Sequence, residues 1–145
     1  MRISTKGVYA VRLMVYLTQK GPCHPVSLKE VADTQGISKK YLEQIAPSLT
    51  GARLLKATRG AAGGYQLARD AAQITMFDIL SATEGSLSPS GVDEGELPDW
   101  GGSETFLESA MWRGFDRVVC EYLSGITLQQ IFDEHSPVAA DSYTI

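Results

Sequence analysis

The chain has 145 residues, enough for one domain with an appended element, and no apolar run in it approaches the roughly 18 residues of a membrane span. Its opening, MRISTKG, is not a signal peptide, and its two cysteines, Cys23 and Cys120, make neither a disulfide framework nor a CxxC or Cys/His metal spacing, so a soluble cytoplasmic protein with reduced thiols is expected. The net charge of −4 hides an asymmetry: residues 1–70 hold 11 Lys and Arg against 4 Asp and Glu, a balance of +7, and residues 71–145 hold 2 against 13, a balance of −11.

A basic unit joined to an acidic one is thus expected, and the elements follow in order. In STKGVYAVRLMVYLTQKG, Ser4 is placed to cap a helix whose Val8, Val11, Met14 (or Val15) and Leu17 recur at helical spacing, and Gly21-Pro22 ends it. Ser27 caps a shorter helix, LKEVADTQ, with Glu30 at the third position as in a capping box and Leu28, Val31 and Ala32 as the buried face. Gly36 breaks that helix, and Ser38 caps a third, KKYLEQIAPSL, with Leu42, Ile45 and Leu49 apolar. Pro47 lacks an amide hydrogen, so the regular part of this helix should kink or end near Ala46. Two short helices joined by a tight turn containing glycine form a helix-turn-helix.

RLLKATRG and GYQLAR read as a β-hairpin whose tip is the glycine cluster Gly60, Gly63 and Gly64. ITMFDILSATEG returns to helical spacing, with Thr75 as cap and Phe77, Ile79 and Leu80 apolar. SLSPSGVDEGELPDWGGS has glycine, serine, proline and acids without periodicity, and reads as a mobile linker. Ser103 then caps a long helix, ETFLESAMWRGFDRVVCEYLSG, of about 30 Å at 1.5 Å per residue. Its stripe of Leu107, Met111, Phe115, Val118 (or Val119) and Tyr122, widened by Phe106, Trp112 and Leu123, is too apolar to hide against so small a domain, and pairing with a second copy through a two-fold axis covers it. A short helix, TLQQIFDE, and an open tail, HSPVAADSYTI, finish the chain. The expected architecture is mostly α with a small β-hairpin: a winged helix-turn-helix domain over 1–84, a flexible acidic linker over 85–103, a dimerisation helix and short following helix over 104–134, and a tail over 135–145.

Helix, helix-turn-helix and hairpin in this order, with the charge split, point to duplex DNA. A recognition helix presents its N-terminal residues to base edges in the major groove, here Lys39, Lys40, Tyr41 and Gln44 as donors, with Glu43 able to accept from cytosine N4 or to orient a lysine. Ser38 and the free helix N-terminus can hold a phosphate. At the hairpin tip, Gly60, Gly63, Gly64 and Tyr65 allow close approach, and Arg59 supplies a cation to the minor groove or backbone. Arg2, Lys6 and Ser27 are positioned as phosphate contacts.

Catalysis finds no constellation. The glycine cluster lacks the GK[ST] of a phosphate loop, His24 and His135 have no placed nucleophile or paired carboxylate, and Asp93, Glu94, Glu96 and Asp99 lack an EF-hand spacing. Two other readings stand beside the DNA-binding one: a thiol-redox repressor using Cys23 or Cys120, and a protein-binding module that kept the fold and lost DNA contact.

Taken together, MRISTKGVYAV, GISKKYLEQI, RGAAGGYQLAR, DILSATEG and MWRGFDRVV...ITLQQI resemble the Rrf2 family of bacterial repressors over residues 1–134. The resemblance implies a homodimer of winged-helix units, with a crossed pair of long helices, on a palindromic operator. Cluster-binding members carry three cysteines between the domain helix and the dimer helix, but Gly85 to Ser103 contains none, and the first-helix positions that serve a variant cluster hold Val8 and Arg12. No iron–sulfur cluster and no other cofactor is therefore expected; a regulator with an unrecognised cluster site is the alternative within the family. MRISTKG and EGSLSPSGV are similar to the cluster-free branch, whose members control cysteine metabolism in concert with cysteine synthase. Because serine acetyltransferase grips that enzyme by a C-terminal isoleucine, the resemblance also implies a partner-binding tail at Tyr143, Thr144 and Ile145.

Overall fold

The computed structural model describes residues 2–90 and 105–135, with side chains placed for 2–90 and 110–134. The element order is α1 (Thr5–Lys20), α2 (Leu28–Gln35), α3 (Lys39–Gly51), β1 (Leu55–Thr58), β2 (Gly64–Leu67), a 3-10 turn (Ala71–Gln73), α4 (Met76–Glu84), α5 (Thr105–Ser124) and α6 (Leu128–His135). This is the expected winged helix-turn-helix with a long helix behind it. Among the described residues, no helix is long and apolar enough to cross a membrane.

Local chemistry sets the helix starts. The hydroxyls of Ser4, Ser27, Ser38 and Thr75 accept the backbone N–H of Gly7, Glu30, Tyr41 and Asp78, satisfying amides that a helix leaves unpaired in its first turn. A reciprocal capping box forms at Thr75, where Asp78 Oδ2 accepts the Thr75 amide at 3.0 Å. At Ser27 only half of it forms, which corrects the sequence reading. The Glu30 carboxylate turns instead to α1, accepting from Tyr16 Oη and Lys20 Nζ, each at 3.1 Å.

α1 runs through the centre and packs on α3, α4 and α6. It buries Gly7, Ala10, Leu13, Met14 and Leu17, whereas Val8 is 49 % exposed and Val11 and Val15 are half-buried. Of the expected stripe, Met14 and Leu17 are thus in the core, Val11 and Val15 pack at its edge, and Val8 alone faces outward. At its N-terminal end α1 closely approaches the end of α4: a Cβ on Gly7 would come within 2.9 Å of Ile3 Cγ2 and closer still to the Glu84 carboxylate. Gly7 is therefore needed where α1 approaches α4, while Leu13, Met14 and Leu17 fill the core farther along the helix.

α3 anchors the reading domain with Leu42, Ile45 and Leu49, all fully buried, each contributing about 1.5–3 kcal/mol by leaving water. It does not end at Ala46. Pro47 lies inside the helix, which continues to Gly51. Pro47 is on the exposed side, where the backbone bond it cannot make is least costly, while Ala46 and Leu49 hold the last turn in the core.

β1 and β2 pair antiparallel with Leu55 opposite Leu67 and Thr58 opposite Gly64. The hairpin is also tied to the helix-turn-helix, since Val26, just before the α2 cap, exchanges both backbone hydrogen bonds with Tyr65 at 2.9 and 2.8 Å. Farther on, Thr127 bridges Thr75, and Met76 N and Leu128 N bond Ile126 O and Ile74 O, each at 2.9 Å, so the α5–α6 corner is stitched to the start of α4. Leu87 is buried, and Ser88 and Ser90 bond Asp116 of α5, so the opening of the expected linker lies against the fold.

Candidate nucleic-acid interface

The α2–α3 turn presents the first turn of α3 to solvent. Gly36 closes α2 in a left-handed conformation, Ile37 is buried, and the Ser38 cap follows. Beyond this anchor Lys39, Lys40, Glu43 and Gln44 are all exposed. Lys39 Nζ stands 3.7 Å from Glu43 Oε1, one turn on, an exposed ion pair along the helix. Lys40 has no such carboxylate among the described residues and is the free cation of this turn. Ser38 Oγ accepts the Tyr41 amide at 3.4 Å, which leaves its hydroxyl hydrogen available to an anion.

Tyr41 is placed differently from its exposed neighbours. It is half-buried, with its ring edge-on to Tyr9 of α1 at 5.4 Å and an interplanar angle of 84°. The Arg12 guanidinium lies 5.8 Å over the other ring of that pair, Tyr9. This ladder sets the recognition helix against α1 and brings a further exposed cation beside it. Sequence reading missed Arg12 in this role; its signal was the three-residue spacing from Tyr9, which puts both on one face of α1.

In the hairpin, Arg59 and Gly60 are exposed at the tip, where Gly63 N bonds Gly60 O at 3.0 Å. Gly64 is required by close approach, because a Cβ there would stand 2.5 Å from the Val26 carbonyl carbon and 2.9 Å from Ser27 N. Tyr65 is half-buried and packs against the core, so it supports the hairpin rather than reaching outward. Gln66 Nε2 donates to Pro22 O at 2.9 Å, a second tie to the α1–α2 loop. Ser27 is exposed and caps α2, Arg2 is exposed, and Lys6 is half-exposed in the first turn of α1.

Lys20 at the end of α1 pairs with Glu30 in the first turn of α2. The hydrogen bond and charge of Glu30 raise the Lys20 pKa, and the Lys20 and Tyr16 donors lower that of Glu30. On α5, Met111, Phe115, Val118 and Tyr122 are 54, 47, 62 and 68 % exposed. Trp112 meets Phe115 edge-on at 6.3 Å, and Val119 turns half inward, so Val118 is the member of the exposed stripe. Burial acts to raise the Asp116 pKa, but the bonds from Ser88 Oγ, Ser90 Oγ and Ser90 N outweigh it and hold the carboxyl below its usual range. The side chain of Leu107, the expected cap Ser103, most of the acidic stretch and the tail residues Tyr143, Thr144 and Ile145 lie outside the described residues.

Cys23 is exposed in the α1–α2 loop and Cys120 is half-buried on α5; both are free thiols. Among the described residues no three His, Cys, Asp or Glu side chains gather as a metal site.

Residues 3–134 match the model of the Rrf2 family, described as an iron-dependent transcriptional regulator. The chain is 38 % identical over 131 residues to the HTH-type transcriptional regulator CymR of Bacillus subtilis, covering 90 % of this chain and 89 % of that one. The solved structure of CymR, the global cysteine regulator of B. subtilis, superposes with a TM-score of 0.73 at 36 % identity, over 100 % of this chain and 99 % of that one. A structure of IscR from T. potens gives the same TM-score and identity over 95 and 90 % of the two chains.

Proposed function

The chain belongs to the Rrf2 family of DNA-binding transcriptional regulators, and on that premise we propose that it is a homodimeric repressor of a palindromic operator whose output follows cysteine or sulfur status without an iron–sulfur cluster. One observation carries the reading of the interface: unpaired cations stand on two elements, Lys40 on the recognition helix and Arg59 on the hairpin tip, and the Val26–Tyr65 bridge fixes one against the other. A helix in the major groove with a cationic tip at the flanking minor groove or backbone uses both. The exposed stripe of α5 supports a two-fold dimer, which matches two half-sites about one helical turn, roughly 34–36 Å, apart. The sulfur signal rests on the likeness to a global cysteine regulator.

Recovery of bound genomic fragments, followed by titration of the recovered sites at several salt concentrations, tests this. The expected result is a palindrome upstream of sulfur-uptake or cysteine-synthesis genes, bound by two chains and weakening with salt. No salt-dependent binding to any fragment removes the regulator reading. Sites upstream of unrelated genes remove the sulfur signal alone.

A further inference from the structure

Between the root of the hairpin and α6 lies an open-sided cavity of about 400 Å³, a volume that suits a small ligand. We propose that it binds a small zwitterion, an α-amino acid.

The argument is one of complementary charge over an apolar floor. Leu17 and Leu67 supply apolar wall, and Arg69 and Asp70 stand on the rim. The ion pairs among the described residues are Lys20–Glu30 and Lys39–Glu43, so Arg69 and Asp70, adjacent in sequence and opposite in charge, are paired neither with each other nor with another side chain. Asp70 Oδ1 accepts the Ala72 amide at 3.0 Å, which fixes the carboxylate and leaves Oδ2 for a donor. The C-terminal end of α1 lines the same cavity, and there the carbonyls of Leu17 and Thr18 share the single N–H of Gly21 at 3.2 Å each. A helix C-terminus carries partial negative charge and favours cations. The cavity thus offers an ammonium-attracting side, made by Asp70 and the end of α1, and a carboxylate-attracting guanidinium at Arg69. An α-amino acid bears both charges on one carbon and a side chain to lay over Leu17 and Leu67.

The location gives such binding a consequence. The wall includes Pro22, whose carbonyl holds Gln66 of β2, and Gln129 of α6. A ligand gripping Arg69 and the end of α1 therefore tightens the hairpin root against the loop before α2 and against the helix that follows α5. This regulatory consequence rests on the repressor reading; the binding itself does not.

Calorimetric titration of the full chain without DNA, using each of the twenty protein L-amino acids with propionate and propylamine as single-charge probes, tests the site. At least one amino acid should saturate one site per chain, and neither single-charge probe should match it. Arg69→Gln and Asp70→Asn, the latter keeping an oxygen for the Ala72 amide, should each weaken binding at least tenfold with the melting temperature unchanged. No saturable heat from any amino acid, equal binding of a single-charge probe, or unaltered affinity in both variants overturns the proposal. A silent titration with operator binding intact removes the cavity and leaves the repressor reading in place. A positive titration in a protein that binds no DNA keeps the site and removes its regulatory consequence.

Discussion

Replacing Gly64 by alanine tests whether the hairpin is built on its contact with the α2 cap. The new methyl group would stand 2.5 Å from the Val26 carbonyl carbon, closer to its oxygen, and 2.9 Å from Ser27 N, all backbone atoms that no rotamer change can move. Relief requires the strand to back away, opening both Val26–Tyr65 hydrogen bonds, a loss of about 1 kcal/mol each. Holding a side chain at the native φ of +154° adds about 1–3 kcal/mol. The total, about 3–5 kcal/mol, is a large part of the 5–15 kcal/mol typical of a domain. Gly60→Ala is the control: its φ is +112°, but a Cβ there meets nothing within 4 Å, so it carries the backbone strain alone. Guanidinium chloride denaturation followed by far-UV circular dichroism, at one fixed chain concentration because the proposed dimer would make stability concentration-dependent, reads the difference. Gly64→Ala should lie about 2 kcal/mol below Gly60→Ala. A Gly64→Ala midpoint equal to or above that of Gly60→Ala refutes the anchored hairpin.

Arg59→Ala and Lys40→Ala should each lower the slope of log affinity against log salt by about 0.9 on operator DNA, measured by fluorescence anisotropy; an unchanged slope places that cation off the phosphates. Val118→Glu with Tyr122→Glu puts charge into the exposed stripe of α5 and should leave a folded monomer in sedimentation velocity, and a dimer that persists assigns the contact elsewhere. Because the folded Asp116 carboxyl titrates below its usual value, its hold on the 86–90 segment is complete above about pH 3.9, the ordinary aspartate pKa, and is lost as pH falls through the depressed folded value. Asp116→Ala should release the segment at neutral pH, seen as faster amide exchange at Ser90, whose N–H bonds Asp116 Oδ1 at 3.1 Å; exchange as slow as in the parent argues against the latch.

Much of the fold is legible in the chain because its starts and stops are chemical. Ser4, Ser27, Ser38 and Thr75 cap the helices they precede, and the glycine cluster turns the hairpin. What is illegible concerns which of several apolar faces wins. α1 carries apolar residues around much of its circumference, and only its packing, with Leu13, Met14 and Leu17 in the core and Gly7 against Glu84 and Ile3, leaves Val8 outside. Pro47 misleads because its penalty depends on the side of the helix it occupies, which α3 settles through Leu49. At the site, Lys39, Lys40 and Arg59 are readable as exposed cations, whereas the engagement of Tyr41 by Tyr9 and the arrival of Arg12 depend on a helix crossing that no local pattern encodes.

The Val26–Tyr65 bridge makes the recognition helix and the hairpin tip a caliper with a locked jaw. On the proposed reading, a gap held this way resists widening or narrowing, so part of the fit falls to the duplex. Stiff and pliable base steps will then be sorted by the energy of bending into that fixed gauge, and nucleotides that no side chain touches will still count toward the choice of site.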